Sequence, residues 1–341
     1  MVAFAHSIGG VALSGDDADI KSILNIIANG GMGVTLFFIL SGFVLKRSLD
    51  QNRSRFLYGN AVFLWKRFLR IWPAMFVSVT FCAVWANCFY TPSPSPIVSI
   101  DYKIIWAAPI ELTQWVKDLL FMGNRSNLVT WTLQVEMVAA LFMLSFVRIK
   151  QKSETLLFLV LIVWLLYFFY FPMYSHAKVG FSFIFILGMY VGDIAEIMSK
   201  HMNTKQTKAV FFISFFLCGI VNYIIPGDHK VVWFLMAIIA MINIASLVAL
   251  HKKDKCGIGL LNTRLFKYMG KVSFSFYLWH LPVLLIIATL AFNYLPSELI
   301  KDHPNLFGLI LFVLSTLATL PVSHLSYQHI EARFLALSKK V

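Results

Sequence analysis

Apolar stretches long enough to cross a membrane recur along the whole chain and are separated by short polar segments. A membrane-spanning helix needs about 20 mainly apolar residues, because the hydrocarbon core of a bilayer is about 30 Å thick. The pattern predicts ten such helices, at residues 1–13, 32–46, 68–90, 129–147, 155–173, 179–198, 209–226, 231–250, 272–293 and 306–327. We therefore predict an all-α fold, a polytopic membrane helix bundle in which residues 1–341 form a single transmembrane domain.

Two segments depart from this regular pattern. The first contains about 13 apolar residues, or about 20 Å of helix at 1.5 Å per residue, which predicts a partial helix or a protein start further upstream. The connection 91–128 is the longest polar stretch, and its segment 112–122 is too short to cross the membrane. We predict that 112–122 forms a helix at the membrane interface.

Composition and charge agree with a membrane protein. The chain is 59% hydrophobic and only 13% charged, whereas soluble proteins average about a quarter charged residues. The net charge of +13 could suit nucleic-acid binding, but the basic residues lie in short loops between apolar segments, which argues against it. With ten helices and a cytoplasmic N-terminus, the cytoplasmic segments hold 22 of the 29 Lys and Arg residues, seven of them between Lys46 and Arg70. This asymmetry predicts that both termini are cytoplasmic.

Ionisable residues inside the predicted helices are candidates for function, because charged groups are costly in lipid and usually face the protein interior. They are His6, Arg67, Arg70, Glu136, His280, His324 and Glu331. For each of them a structural alternative stays open, namely a buried polar residue that ties two helices together. The four cysteines lack the spacing of zinc ligands, and we predict no metal site.

Helical spacing groups several of these residues on common faces. Ser273, Tyr277 and His280 fall at i, i+4 and i+7 of the ninth helix. The same spacing predicts that His324, Gln328 and Glu331 share a face of the tenth, and Thr132 and Glu136 a face of the fourth. Pro282 frees a backbone carbonyl within the ninth helix, which a membrane tolerates where the helix faces protein or a cavity.

Six motifs follow one another along the predicted helices. They are VAFAHS at 2–7, FFILSGFVL at 37–45, WKRFLRIWP at 65–73, WTLQVE at 131–136, YMGKVSFSFYLWHLPV at 268–283 and SYQHIEARF at 326–334. In this order, and over nearly the whole chain, they resemble membrane-bound acyltransferase family 3. This family contains bacterial O-acyltransferases that modify surface glycans and other extracytoplasmic acceptors.

The resemblance implies an enzyme of the bacterial inner membrane with no bound cofactor. It implies an O-acetyltransferase that uses cytoplasmic acyl-CoA (acetyl-CoA) as donor and a glycan hydroxyl as acceptor, for example in O-antigen, lipopolysaccharide or exopolysaccharide. His6 would be the base and Glu136 a second catalytic group, while Arg67 and Arg70 would bind the donor phosphates. A further set would line the passage and the acceptor site: Trp131, Ser273, Tyr277, His280 and Glu331.

The residue types suit this chemistry. A histidine with a near-neutral pKa can take the proton of a hydroxyl as it attacks, and the planar fork of arginine matches phosphate. Arg67 and Arg70 are three residues apart and share one helix face, although marking of topology or contact with lipid headgroups is an alternative role. Ser41 and Gly42 fit close helix packing better than nucleophilic chemistry.

Two other functions remain open at this point. A transporter of a lipid-linked sugar or an anionic solute would also have ten helices and buried ionisable residues. The sequence shows no paired Gly- or Pro-broken helices in matching halves, which is the signature of many transporters. The second alternative is a scaffold or inactive member of the family.

Overall fold

A computed structural model describes residues 1–9, 29–51, 56–91, 105–106, 108–171, 177–225, 229–253 and 258–340. These residues form helices and no strand. The helices are α1 (Val2–Gly9), α2 (Gly30–Gln51), α3 (Phe56–Cys88), α4 (Leu112–Leu119), α5 (Trp131–Lys152), α6 (Glu154–Tyr170), α7 (Ala177–Gly180), α8 (Ser182–Met189), α9 (Val191–His201), α10 (Thr204–Ile224), α11 (His229–Lys253), α12 (Arg264–Tyr294), α13 (Ser297–Asp302), α14 (Pro304–Ser326) and α15 (Ala332–Ser338). The predicted all-α fold is confirmed.

Every predicted membrane segment contains a helix. Within the described residues, eight helical stretches are long and apolar enough to cross a membrane. The two remaining segments are shorter, because α6 has 17 residues and the described part of the first segment, α1, has eight. The protein is therefore a polytopic helix bundle, an architecture suited to a bilayer because helices satisfy their own backbone hydrogen bonds.

The chain divides into two compact units. The first unit comprises Met1–Gly30, Trp65–Leu133 and Tyr268–Val341, and the second unit comprises Gly31–Leu64 and Gln134–Lys267. Helices α3, α5 and α12 each contribute residues to both units.

Helices α3, α12 and α14 build the core of the first unit. Cys82 and Ala83 of α3 pack in one buried cluster with Leu281 and Leu284 of α12 and Leu311 of α14. Small residues on α3 allow the large side chains of its neighbours to fill the space between the helices.

Helix α1 is held against α14 at a close backbone approach. A Cβ added to Gly308 would lie 3.3 Å from the Cα of Ile8, and the rings of Phe4 and Phe312 meet edge to face at 5.1 Å. Glycine at 308 therefore lets the α1 backbone come close enough to bury Ile8, and this contact places the N-terminal helix within the first unit.

In the second unit, α2 and α8 also cross at a glycine contact. A Cβ on Gly42 would collide with the backbone carbonyl of Phe185, and a Cβ on Gly188 would collide with the carbonyl of Ile39. Small residues permit such close approach of membrane helices. The packing role expected for Gly42 is confirmed.

The predicted interfacial segment is the short helix α4. Its apolar side chains Leu112 and Val116 are 72% and 40% exposed, as expected for a helix that lies against lipid. Asp118, on the opposite side, is buried and accepts hydrogen bonds from the backbone N–H and the hydroxyl of Ser126 at 2.7 and 2.6 Å. These bonds fix the chain that follows α4.

Candidate active site

Two histidines meet in the first unit. His6 on α1 and His280 on α12 lie with their ring centroids 5.6 Å apart. His6 is half-buried, and His280 is buried, with 3% of its surface exposed. The packing of α1 on α14 brings together two side chains that lie at opposite ends of the sequence, one predicted as the base and the other as a passage residue.

The hydrogen bonds of His280 define its tautomer. Its Nδ1 lies 2.6 Å from the carbonyl oxygen of Tyr277. A carbonyl oxygen can only accept, so Nδ1 carries the proton and donates it. In the neutral ring, Nε2 is then a hydrogen-bond acceptor. Nε2 is buried and has no hydrogen-bond partner among the described residues, so a lone pair in this site is available to accept from a hydroxyl.

Tyr277 ties α12 to the start of α5. Its hydroxyl donates to the carbonyl of Val129 at 2.9 Å and lies 2.8 Å from the hydroxyl oxygen of Thr132. Its ring centroid is 5.5 Å from that of His280. The hydroxyl is therefore engaged in helix packing, which favours the structural alternative for this group, while the ring forms a wall beside His280.

The carbonyl that Pro282 frees has found donors. In an α-helix the N–H of residue 282 would bond to the carbonyl of Leu278, and proline lacks that N–H. Asn127 Nδ2 donates to this carbonyl at 2.9 Å and Ser78 Oγ at 3.2 Å. Asn127 precedes α5 and is 2% exposed. The sequence indicated that this carbonyl needed a donor, but nothing in it identified Asn127 or Ser78.

Ser273 does not join Tyr277 and His280. It is exposed, and its hydroxyl donates to the carbonyl of Gly270 in its own helix. The buried serine of this helix is Ser275, whose hydroxyl donates to Glu331 Oε2 at 3.0 Å. Residues two apart lie on opposite sides of an α-helix, so Ser275 is on the other side of α12 from Ser273, and the spacing gave no sign that this side is buried.

Glu331 lies at the end of a π-helical turn, Tyr327–Glu331, and is 5% exposed. The charge of Arg70 acts on its carboxylate. His324 and Gln328 are exposed, and His324 Nδ1 lies 3.0 Å from the hydroxyl of Tyr268. The prediction that His324, Gln328 and Glu331 share one face is wrong, because the wider π turn rotates Glu331 away from the register of an α-helix. Such turns are frequent at functional sites.

The two predicted donor-binding arginines lie on α3 of the first unit. Arg67 is buried, with 8% of its surface exposed, whereas Arg70 three residues later is exposed. A stack of aromatic rings formed by Trp65, Phe68 and Trp72 runs along the same helix, with centroid separations of 5.5 and 5.4 Å. A buried guanidinium beside a second one forms a region of concentrated positive charge within an apolar helix.

Glu136 belongs to the second unit. It is 4% exposed, and its Oε1 accepts a hydrogen bond from the Ser41 hydroxyl at 3.3 Å. Trp131 lies at the start of the same helix, α5, and is half-buried in the first unit. The acidic loop residues that follow the first segment, Asp16, Asp17 and Asp19, lie outside the described residues.

The family model of acyltransferase family 3, described as an acyltransferase domain, matches residues 1–327. The chain belongs to this family. A protein of Acidianus two-tailed virus named "Putative acetyltransferase ORF330" is 26% identical over 269 residues, which cover 76% of this chain and 74% of the relative. No solved structure matches the chain. The resemblance carried by the six motifs is confirmed, and the protein is a multi-pass membrane acyltransferase.

Most candidate site residues of this family 3 acyltransferase lie inside the matched range of residues 1–327, and one lies outside it. His6, Arg67, Glu136 and His280 all fall within it, whereas Glu331 lies beyond its last residue. Glu331 belongs to the sixth motif, which begins inside the match and continues beyond it, so its candidacy depends on that motif, on its burial and on the π turn.

Proposed function

We propose that this membrane acyltransferase is an O-acetyltransferase, which transfers an acyl group from cytoplasmic acyl-CoA to a hydroxyl of an extracytoplasmic glycan such as O-antigen or exopolysaccharide. The observation that carries the proposal is the pair of half-buried His6 and buried His280 in a family 3 acyltransferase. The same unit holds the buried Arg67, so a base and an anion-binding group belong to one compact body.

In the proposed reaction, His6 takes the proton of the acceptor hydroxyl while the hydroxyl oxygen attacks the thioester carbonyl carbon. The new C–O bond forms, the C–S bond breaks, and the proton passes from His6 to the leaving thiolate of coenzyme A. No net proton is gained or lost. Positioned acid–base groups of this kind contribute about 10²–10⁴-fold to the rate.

Arg67 and Arg70 would bind the phosphates of the donor. Two guanidinium groups offer parallel N–H donors, and Arg–phosphate hydrogen bonds are charge-assisted. The positive-inside pattern supports an inner-membrane protein with cytoplasmic termini, in which α3 begins at the cytoplasmic side, and the donor would enter there. Acyl-CoA is a substrate in this scheme, and no bound cofactor is needed.

The remaining candidates would line the route between the donor and the acceptor. Tyr277 and Trp131 would supply aromatic walls, and His280 an acceptor for a hydroxyl. Glu136 is proposed as a catalytic carboxylate because it is buried in a helix of the matched family region. Glu331 is proposed to line the cytoplasmic end, where the charge of Arg70 acts on it.

Labelled acetyl-CoA tests the proposal directly. Membranes that contain the wild-type protein should transfer label to glycan in a form that is stable to acid and labile to base, as expected of an O-acetyl ester. His6→Ala should abolish the transfer, and His251→Ala, a change at an exposed histidine at the end of α11, should not affect it. Absence of labelled glycan with the wild type would reject transfer of acetyl groups from acetyl-CoA to glycan as the function of this acyltransferase. Unchanged transfer by His6→Ala would remove His6 as the base.

A further inference from the structure

The backbone carbonyl that Pro282 frees in α12 is bound by side chains from outside the helix. Asn127 Nδ2 and Ser78 Oγ both donate to the carbonyl of Leu278, and Asn127 Nδ2 also donates to Ser78 Oγ at 2.8 Å. All three residues are buried in the first unit. In lipid, a freed carbonyl must be satisfied by protein. Two donors from different elements satisfy this carbonyl.

This carbonyl lies in the backbone that orients His280. Leu278 follows Tyr277, whose carbonyl accepts from His280 Nδ1, and precedes His280 by two residues. Rotation of the peptide at Leu278 would change both the backbone that carries the imidazole and the carbonyl that fixes its tautomer. A bond to the Leu278 carbonyl therefore controls where Nε2 of His280 points.

The side-chain amide of Asn127 is oriented so that its Nδ2 donates to the Leu278 carbonyl, although its Oδ1 then makes no hydrogen bond to the described residues. A carbonyl oxygen only accepts, so Nδ2 must face Leu278. Asn127 Oδ1 is then left buried with no hydrogen-bond partner among the described residues. An unsatisfied buried acceptor is costly, and a residue chosen only for packing would avoid it.

We propose that Asn127 and Ser78 are positioning residues that set His280 beside His6 by holding the carbonyl freed by Pro282. The proposal rests on the proposed acyltransferase reaction, in which the histidine pair meets the acceptor hydroxyl. Neither residue touches the reacting atoms; both act through the α12 backbone.

The second unit offers a matched control. Asn243 is also 2% exposed, and its Nδ2 donates to the carbonyl of Phe211 at 2.9 Å and to the hydroxyl of Ser214 at 3.0 Å. It thus makes the same two types of bond as Asn127. The residue four positions after Phe211 is Phe215 and not proline, so this carbonyl keeps its helical partner. Asn243→Ala reports the cost of losing a buried asparagine without any effect on a carbonyl that a proline has freed.

We expect Asn127→Ala to lower kcat about 10²-fold, the loss typical of a catalytic group displaced by about 1 Å. The KM for acetyl-CoA should stay unchanged, because the donor arginines are not affected. Asn243→Ala should keep both values. Pro282→Ala restores an N–H for the Leu278 carbonyl, so adding Asn127→Ala to Pro282→Ala should cause no further loss. Equal kcat in Asn127→Ala and Asn243→Ala, or additive losses with Pro282→Ala, would overturn the proposal and leave the acyltransferase function standing.

A second measurement does not depend on turnover. Diethyl pyrocarbonate modifies imidazole nitrogens, and mass spectrometry of the purified full-length protein can follow the modification of His280. Asn127→Ala should change the rate of His280 modification relative to the wild type, and Asn243→Ala should not. If the wild type shows no acetyl transfer but this rate responds to Asn127, the proposed function fails while the positioning role stands. An unchanged rate in Asn127→Ala overturns the positioning role.

Discussion

Gly308→Ala should reduce turnover by moving His6 while leaving the protein stable. The added Cβ would lie 3.3 Å from the Cα of Ile8, whereas carbon atoms in contact prefer about 3.5–4.0 Å. Helix α1 would therefore shift by a few tenths of an ångström and carry His6 with it. Since a misplacement of about 1 Å costs about 10²-fold, a shift of about half that size predicts a fall in kcat of about tenfold. This fall corresponds to about 1.4 kcal/mol.

The same change removes a glycine from a helix interior, and that contributes about 0.5–1 kcal/mol of stability. The gain offsets the steric cost, so the midpoint of thermal unfolding in detergent should change little while kcat falls. The assay is the initial rate of acetyl transfer over a range of acetyl-CoA concentrations, together with the unfolding midpoint. Gly270→Ala is the control, because a Cβ at Gly270 meets nothing within 4 Å. Equal kcat for the two variants would refute the link between α1 packing and catalysis.

Three further changes separate packing from chemistry. Gly42→Ala should destabilise the protein by about 1–3 kcal/mol, the usual cost of overpacking. Gly192→Ala is the control and should not, because its Cβ would make an ordinary contact at 3.6 Å. Equal unfolding midpoints for the two variants would contradict this prediction. Tyr277→Phe should cost about 0.5–1.5 kcal/mol because it removes a hydrogen bond to the Val129 carbonyl, which keeps the Thr132 hydroxyl as a donor, yet it should retain turnover. A collapse of kcat with an unchanged unfolding midpoint would instead assign the hydroxyl a catalytic role. Arg67→Lys keeps the charge and loses the planar guanidinium. The KM for acetyl-CoA should therefore rise about tenfold, equivalent to about 1.4 kcal/mol, while kcat stays constant. An unaltered KM would remove Arg67 from the donor site.

Much of the fold follows from the sequence alone. Hydropathy located ten helical segments, of which eight are, among the described residues, long and apolar enough to cross a membrane. It also separated the short helix α4 from them, because these features depend on local composition and length. The prediction for Gly42 also succeeded, since small residues in membrane helices mark close approach. The family was recognisable from short motifs in a fixed order.

Spacing rules were less reliable within the candidate site. They assume a regular α-helix, and the π turn at Tyr327–Glu331 breaks that assumption by burying Glu331 and leaving His324 exposed. They also do not tell which side of a helix is buried at a given level of the bundle. For that reason they selected Ser273, whereas Ser275, on the opposite side of α12, makes the buried hydrogen bond.

The sequence by itself determined that this protein is a membrane-embedded helix bundle, because each helix satisfies its own backbone and the apolar pattern reports that requirement along the chain. The six motifs in their fixed order, and not the apolar pattern, indicated the acyltransferase family. Only the tertiary structure decided that His6 lies beside His280 and that Asn127 binds the carbonyl freed by Pro282. Both contacts join residues far apart in the chain. They depend on how helices pack, through side-chain volume and the close approach at Gly308, and no local pattern encodes which distant partner will meet a given group.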